Sequence, residues 1–143
     1  MPSAATSGRS PSGNTLSLTS LGEVQIASTF LGSGVTETIN APLTLEGSYD
    51  IADNSTNGNL LNLGGAISSG TAGTQTLTVA GPGATAINGA IGNGNGTIAL
   101  TKAGTGTLTL TGNNTFSGGL AVQSGTLLIN TINNAVPAGR QRS

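Results

Sequence analysis

The chain has 143 residues, of which Gly, Thr, Ser and Asn fill 24, 22, 15 and 14 positions, and its formal net charge is −1. There is no His, Cys or Trp, so thiolate nucleophiles, imidazole bases, His/Cys metal centres and disulfides are excluded. Four basic residues, Arg9, Lys102, Arg140 and Arg142, are too few for a nucleic-acid footprint, and no apolar run reaches the ~18 residues of a membrane span.

Residues 1–13 form a Ser/Pro/Gly-rich tail with no apolar segment of a secretory signal. Residues 14–35 are apolar and strand-like, carried by Leu16, Leu18, Leu21, Val24 and Ile26, and read as a cap or a strand donated to another copy. Over 36–137, short runs alternate apolar with Thr, Ser or Asn, the period-2 pattern of a half-buried strand. Such runs include Leu43-Thr-Leu45, Leu61-Asn-Leu63, Leu77-Thr-Val79, Ile98-Ala-Leu100, Leu108-Thr-Leu110, Leu120-Ala-Val122 and Leu127-Leu-Ile129. Asn-Gly and Gly-Gly pairs separate them, where Asn and Gly tolerate turn conformations. Residues 138–143 form a second tail. No window carries the i, i+3, i+4, i+7 stripe of an amphipathic helix.

Spacing selects among all-β architectures. From Leu77 the apolar centres fall near Ile87, Ile98, Leu108, Leu120 and Leu127, roughly one strand per ten residues. The strands offer two inward positions each, and the aromatics are Phe30, Tyr49 and Phe116 alone. Sandwiches usually carry larger aromatic cores, so the pattern favours the thin aliphatic stack of a β-solenoid over hairpins in a sandwich. With two strands per turn, the expectation is about six rungs of roughly 20 residues.

The stretch Gly104-Thr-Gly-Thr-Leu-Thr-Leu-Thr-Gly-Asn-Asn-Thr-Phe-Ser-Gly-Gly119, followed by Leu-Ala-Val-Gln-Ser-Gly-Thr-Leu-Leu-Ile129, resembles the autotransporter-associated β-strand repeat. Lys102 and Gly104 match its lead-in, and Gly112, Asn113, Asn114, Gly118 and Gly119 its corners. Leu120-Ala121 departs from it, since the family more often carries Thr there. The resemblance implies a right-handed parallel β-helix in a secreted or surface protein of a bacterium, with a structural role in passenger folding and export. It implies no catalysis.

Site chemistry is thin. The carboxylates Glu23, Glu37, Glu46, Asp50 and Asp53 read as solvated loop groups, and Asp50, Asp53 and Asn54 make a weak Ca²⁺ candidate that fits no established spacing. No catalytic residue or cofactor is expected. Stacked Asn residues are expected to form ladders that satisfy buried polar groups. The Thr-x-Thr rows at Thr36, Thr76 and Thr105–Thr111 allow a minor reading as an ice-binding face. The segment around Leu127, Ile129 and Ile132 resembles the N-terminal one in being apolar and without a charged cap, as an uncapped rod that stacks head to tail requires. The expected function is an extracellular, self-assembling fibre subunit whose partner is itself. The alternative is a passenger segment of an adhesin that contacts glycans or cell surfaces.

Overall fold

The structure, a computed structural model, describes residues 33–129 and the backbone of two earlier strands. Fourteen strands follow one another: β1 (Leu16–Leu18), β2 (Glu23–Ile26), β3 (Thr36–Ile39), β4 (Leu43–Leu45), β5 (Tyr49–Asp53), β6 (Leu60–Leu63) and β7 (Ile67–Ser69), then β8 (Thr74–Ala80), β9 (Ala84–Ile87), β10 (Ile91–Gly94), β11 (Thr97–Lys102), β12 (Thr107–Leu110), β13 (Leu120–Val122) and β14 (Thr126–Ile129). No helix occurs among the described residues, and so none is long and apolar enough to cross a membrane.

Every strand pairing is parallel, and the strands fall into three sheets. Sheet A runs β1-β4-β7-β10, sheet B β2-β5-β8-β11-β13 and sheet C β3-β6-β9-β12-β14. Each turn of the coil therefore contributes one strand to each of three faces. The result is an all-β parallel solenoid of about four turns, with a fifth begun by β13 and β14.

Six rungs of 20 residues are not what the chain builds. Ile67 pairs with Leu43 and with Ile91, a turn of 24 residues on either side; Leu77 to Leu100 is 23. The ten-residue rhythm counted strands of sheets B and C only. The sheet A strand Ile91-Gly-Asn-Gly94 has a single apolar residue and reads locally as a turn, so the third face escaped the period. In the N-terminal strand segment, β1 pairs with β4 and β2 with β5 of the same chain.

Packing follows from register. In-register parallel pairing stacks equivalent inward residues into columns along the axis, Ile39–Leu63–Ile87–Leu110–Ile129 in sheet C and Tyr49–Leu77–Leu100–Leu120 in sheet B. Leu63, Ile87, Leu110 and Leu77 have no exposed surface. A narrow bore filled with Leu and Ile, one or two per strand, suffices because each layer covers the next.

Candidate functional site

Two features distinguish the described residues from a plain stack: buried polar groups at the corners and an exposed last described turn.

The corners are closed by backbone and amides. Asn114 is fully buried, and its Oδ1 accepts the Ile91 N–H at 2.9 Å. Asn59, also buried, accepts from the Val35 N–H at 2.9 Å. Each thus satisfies a main-chain donor of the turn before it. Asn113, beside Asn114, points outward. At Gly118 the N–H donates to Ile98 O at 2.8 Å, and the Gly119 carbonyl accepts from Leu100 N–H at 3.0 Å. The expected asparagine ladder exists, but on the outside. Asn88 Nδ2 donates to Asn62 Oδ1 at 2.6 Å, and Thr111 Oγ1 donates to Asn88 Oδ1 at 2.6 Å, all exposed. Solvent already reaches these amides, so the ladder aligns rungs rather than rescuing buried groups.

Sequence reasoning placed the carboxylates in solvent. Asp50 and Glu46 are indeed exposed, but Glu37 and Asp53 are buried. Period 2 decides this: Glu37 and Ile39 point inward from β3, and Asp53 follows Ile51 on the inner side of β5. Asp53 Oδ1 accepts from Ser55 N–H at 2.9 Å and Ser55 Oγ–H at 2.6 Å, while Oδ2 has no partner. The Ca²⁺ candidate is not assembled, because Asp50 faces solvent and Asp53 the interior. Among the described residues, no three acidic groups gather to hold a metal.

Lys102 is the less expected buried group, with 1% of its surface exposed. It stands in the sheet B column Ile51–Val79–Lys102–Val122. Its Nζ donates to Ala103 O at 2.6 Å and Gly104 O at 3.0 Å, and Ser124 Oγ donates to the same Gly104 carbonyl at 2.7 Å. The ammonium gathers the carbonyls of one corner and ties it to the next turn. Burial pushes its pKa below the ordinary 10.5. The unfolded chain then holds this proton more tightly than the folded one. Stability is therefore reduced at neutral pH and rises as pH climbs from the folded pKa toward 10.5. Urea titrations across that alkaline window should show this rise in the native chain and not in Lys102→Met; equal slopes would contradict it.

The outer face of sheet B pairs Thr97 with Thr74 and Thr101 with Thr78, but Ala99 lies opposite Thr76 and Ala121 opposite Thr101. The hydroxyl rows span only two strands.

The last turn differs from the others. Val122, Leu128 and Ile129 are 51%, 52% and 36% exposed. Val122 and Ile129 belong to inward columns and lie open because no turn follows them among the described residues. Leu127, inward above Leu108, is only half-buried. The first described turn is closed by comparison: Ile39 and Glu37 are 8% and 6% exposed. Of the other candidate assembly residues, Leu21 and Ile132 lie outside the described residues, and Leu16, Leu18, Val24 and Ile26 are described as backbone only.

This corner-and-strand plan spans β11 to β14, with Lys102 at its start, the Gly112–Asn114 and Gly118–Gly119 corners in its middle and Ile129 at its end. Residues 100–129 match the passenger-associated-transport-repeat. No curated protein and no solved structure matched the chain. A repeat of the autotransporter passenger type suggests a surface or extracellular location, and both the repeat and the solenoid are structural elements compatible with a part that is not an enzyme. The matched stretch runs from β11 to β14, more than one turn of the coil, and includes the buried lysine and the asparagine clamp.

Proposed function

We propose that this chain is a structural segment of a passenger-type, right-handed β-solenoid displayed outside a bacterial cell, and that copies of it assemble end to end into a fibre. The observation that supports this is the C-terminal turn. Its inward-facing Val122 and Ile129 are exposed, it carries no charged residue from Leu120 to Ile129, and among the described residues its strands β13 and β14 each have one edge unpaired. An edge of that kind templates another strand unless charge, proline or a cap blocks it. Burying it against a second solenoid recovers the apolar contact every interior turn already has.

The test is concentration-dependent light scattering with negative-stain microscopy on the full chain. Filaments of solenoid width are expected above a threshold concentration, and the double variant Val122→Lys/Leu128→Lys should raise that threshold at least tenfold while keeping the far-UV circular dichroism. A native chain that stays monomeric at high concentration would overturn the proposal. The second reading is a passenger segment of an adhesin, contacting glycans through the outer Thr and Asn rows. It is favoured by the in-register hydroxyls of Thr74, Thr78, Thr97 and Thr101. Glycan-array binding by a non-assembling monomer would select it.

A further inference from the structure

We infer that Asn57 is a modification site, where the fold permits the side-chain amide to be exchanged for a carboxylate through a cyclic imide. The chain has four Asn-Gly pairs, beginning at Asn57, Asn88, Asn93 and Asn95. Glycine after asparagine favours ring closure, because no Cβ hinders the attacking nitrogen and the backbone turns readily. In the reaction the Gly58 nitrogen gives its proton to solvent and bonds to Asn57 Cγ. The Cγ–Nδ2 bond breaks, and ammonia leaves after taking a proton from solvent. One water then opens the ring at either carbonyl. The product is aspartate, or isoaspartate, in which the main chain runs through the side-chain carbon.

Ring closure requires the asparagine backbone to rotate until the next nitrogen faces Cγ, and at three pairs the corner forbids it. Asn88 and Gly89 both donate their N–H to Leu63 O, at 2.8 and 3.3 Å, and the Asn88 amide is held between Asn62 and Thr111. Asn93 Oδ1 accepts the Ile98 and Ser117 N–H groups, and its Nδ2 donates to Ser117 Oγ at 2.8 Å. Asn95 donates its N–H to Ser69 O at 3.0 Å and its Nδ2 to Gly70 O at 2.9 Å. A Cβ at Gly89, Gly94 or Gly96 would lie less than 3.0 Å from backbone of the preceding turn. The Asn57 pair sits differently. Thr56, Asn57 and Gly58 are consecutive exposed residues between β5 and β6, and nothing lies within 4 Å of a Cβ at Gly58. The Asn57 carbonyl accepts from Ser33 Oγ and the Gly34 N–H, both at 3.2 Å and at the exposed side of the first described turn. Buried contacts bracket this loop, Ser55 on Asp53 and Asn59 on the Val35 N–H. It can therefore rearrange locally without opening the coil, whereas the packed corners must unfold first.

The exchange doubles the formal net charge of −1, so ion-exchange chromatography resolves the product. It does not depend on whether copies assemble. The test incubates the full chain at alkaline pH, folded or in urea sufficient to unfold it, and follows the mass gain of amide-to-acid exchange by peptide mapping at all four pairs. In the folded chain Asn57 should react roughly tenfold or more faster than Asn88, Asn93 and Asn95, and in urea the four rates should converge. The acidic species should be largely absent from Asn57→Ser. Equal rates at the four pairs in the folded chain, or a slower Asn57, would overturn the inference. So would an acidic species undiminished in Asn57→Ser. A lead for Asn57 that persists in full in urea would overturn the fold as its cause.

Discussion

Replacing Phe116 by alanine should cost about 3–5 kcal/mol, the range for removing a fully buried phenylalanine. Phe116 has no exposed surface. Sheet A has only four strands where B and C have five, and the segment Asn114–Phe116 takes the missing place. Thr115 N–H and Phe116 N–H both donate to Ile91 O, at 2.8 and 3.2 Å, and Asn114 Oδ1 accepts the Ile91 N–H. The ring is then held over the end of the sheet A column, where one large side chain fills the bore beside thin aliphatic ones. Total stabilities of domains are about 5–15 kcal/mol, so truncation removes a large share. Urea unfolding followed by circular dichroism measures it. Phe116→Leu, which keeps most of the volume, should cost much less, and a loss below 1 kcal/mol for Phe116→Ala would show that the ring does not close the stack.

Replacing Gly89 by alanine should also destabilise the chain, by a different mechanism. A Cβ at Gly89 would lie less than 3.0 Å from the carbonyl oxygen and carbon of Gly65 and from the nitrogen of Ala66. These are backbone atoms of the turn below, tied into the hydrogen bonds of the corner. The same relation repeats upward, with a Cβ at Gly112 meeting Gly89. The corner therefore cannot yield at one level without displacing its neighbours, and overpacking of this kind costs 1–3 kcal/mol or more. Gly58 is the control. Its φ is +74° and nothing lies within 4 Å of its would-be Cβ, so Gly58→Ala carries only the left-handed strain of about 1–2 kcal/mol. Thermal melts should rank Gly89→Ala below Gly58→Ala. Equal midpoints would show that the corner is free to spread.

Much of the site was visible in local pattern. Alternation at Leu108-Thr-Leu110 and its relatives placed strands and inward residues, and the Gly104–Ile129 stretch carried the repeat that the comparison identifies. The missing pieces each depended on a distant partner. Ile91-Gly-Asn-Gly94 looks like a turn until β7 pairs with it. Asp53 looks like a loop carboxylate until the turn Gly81–Gly83 covers it, with Gly83 directly against the carboxylate. Lys102 was recognised as part of the lead-in, yet only the fold shows its ammonium gathered onto the corner carbonyls.

The absence of His and Cys by itself excludes their chemistry, and the Gly, Asn and Thr excess leaves apolar residues for only a thin repetitive core. Local alternation determined the strands, because which side a strand residue faces depends only on its parity. The number of faces, the length of a turn and the unequal ends were decided by tertiary structure. They arise from pairings across 19 to 28 residues, whose main-chain hydrogen bonds leave no mark in the local sequence.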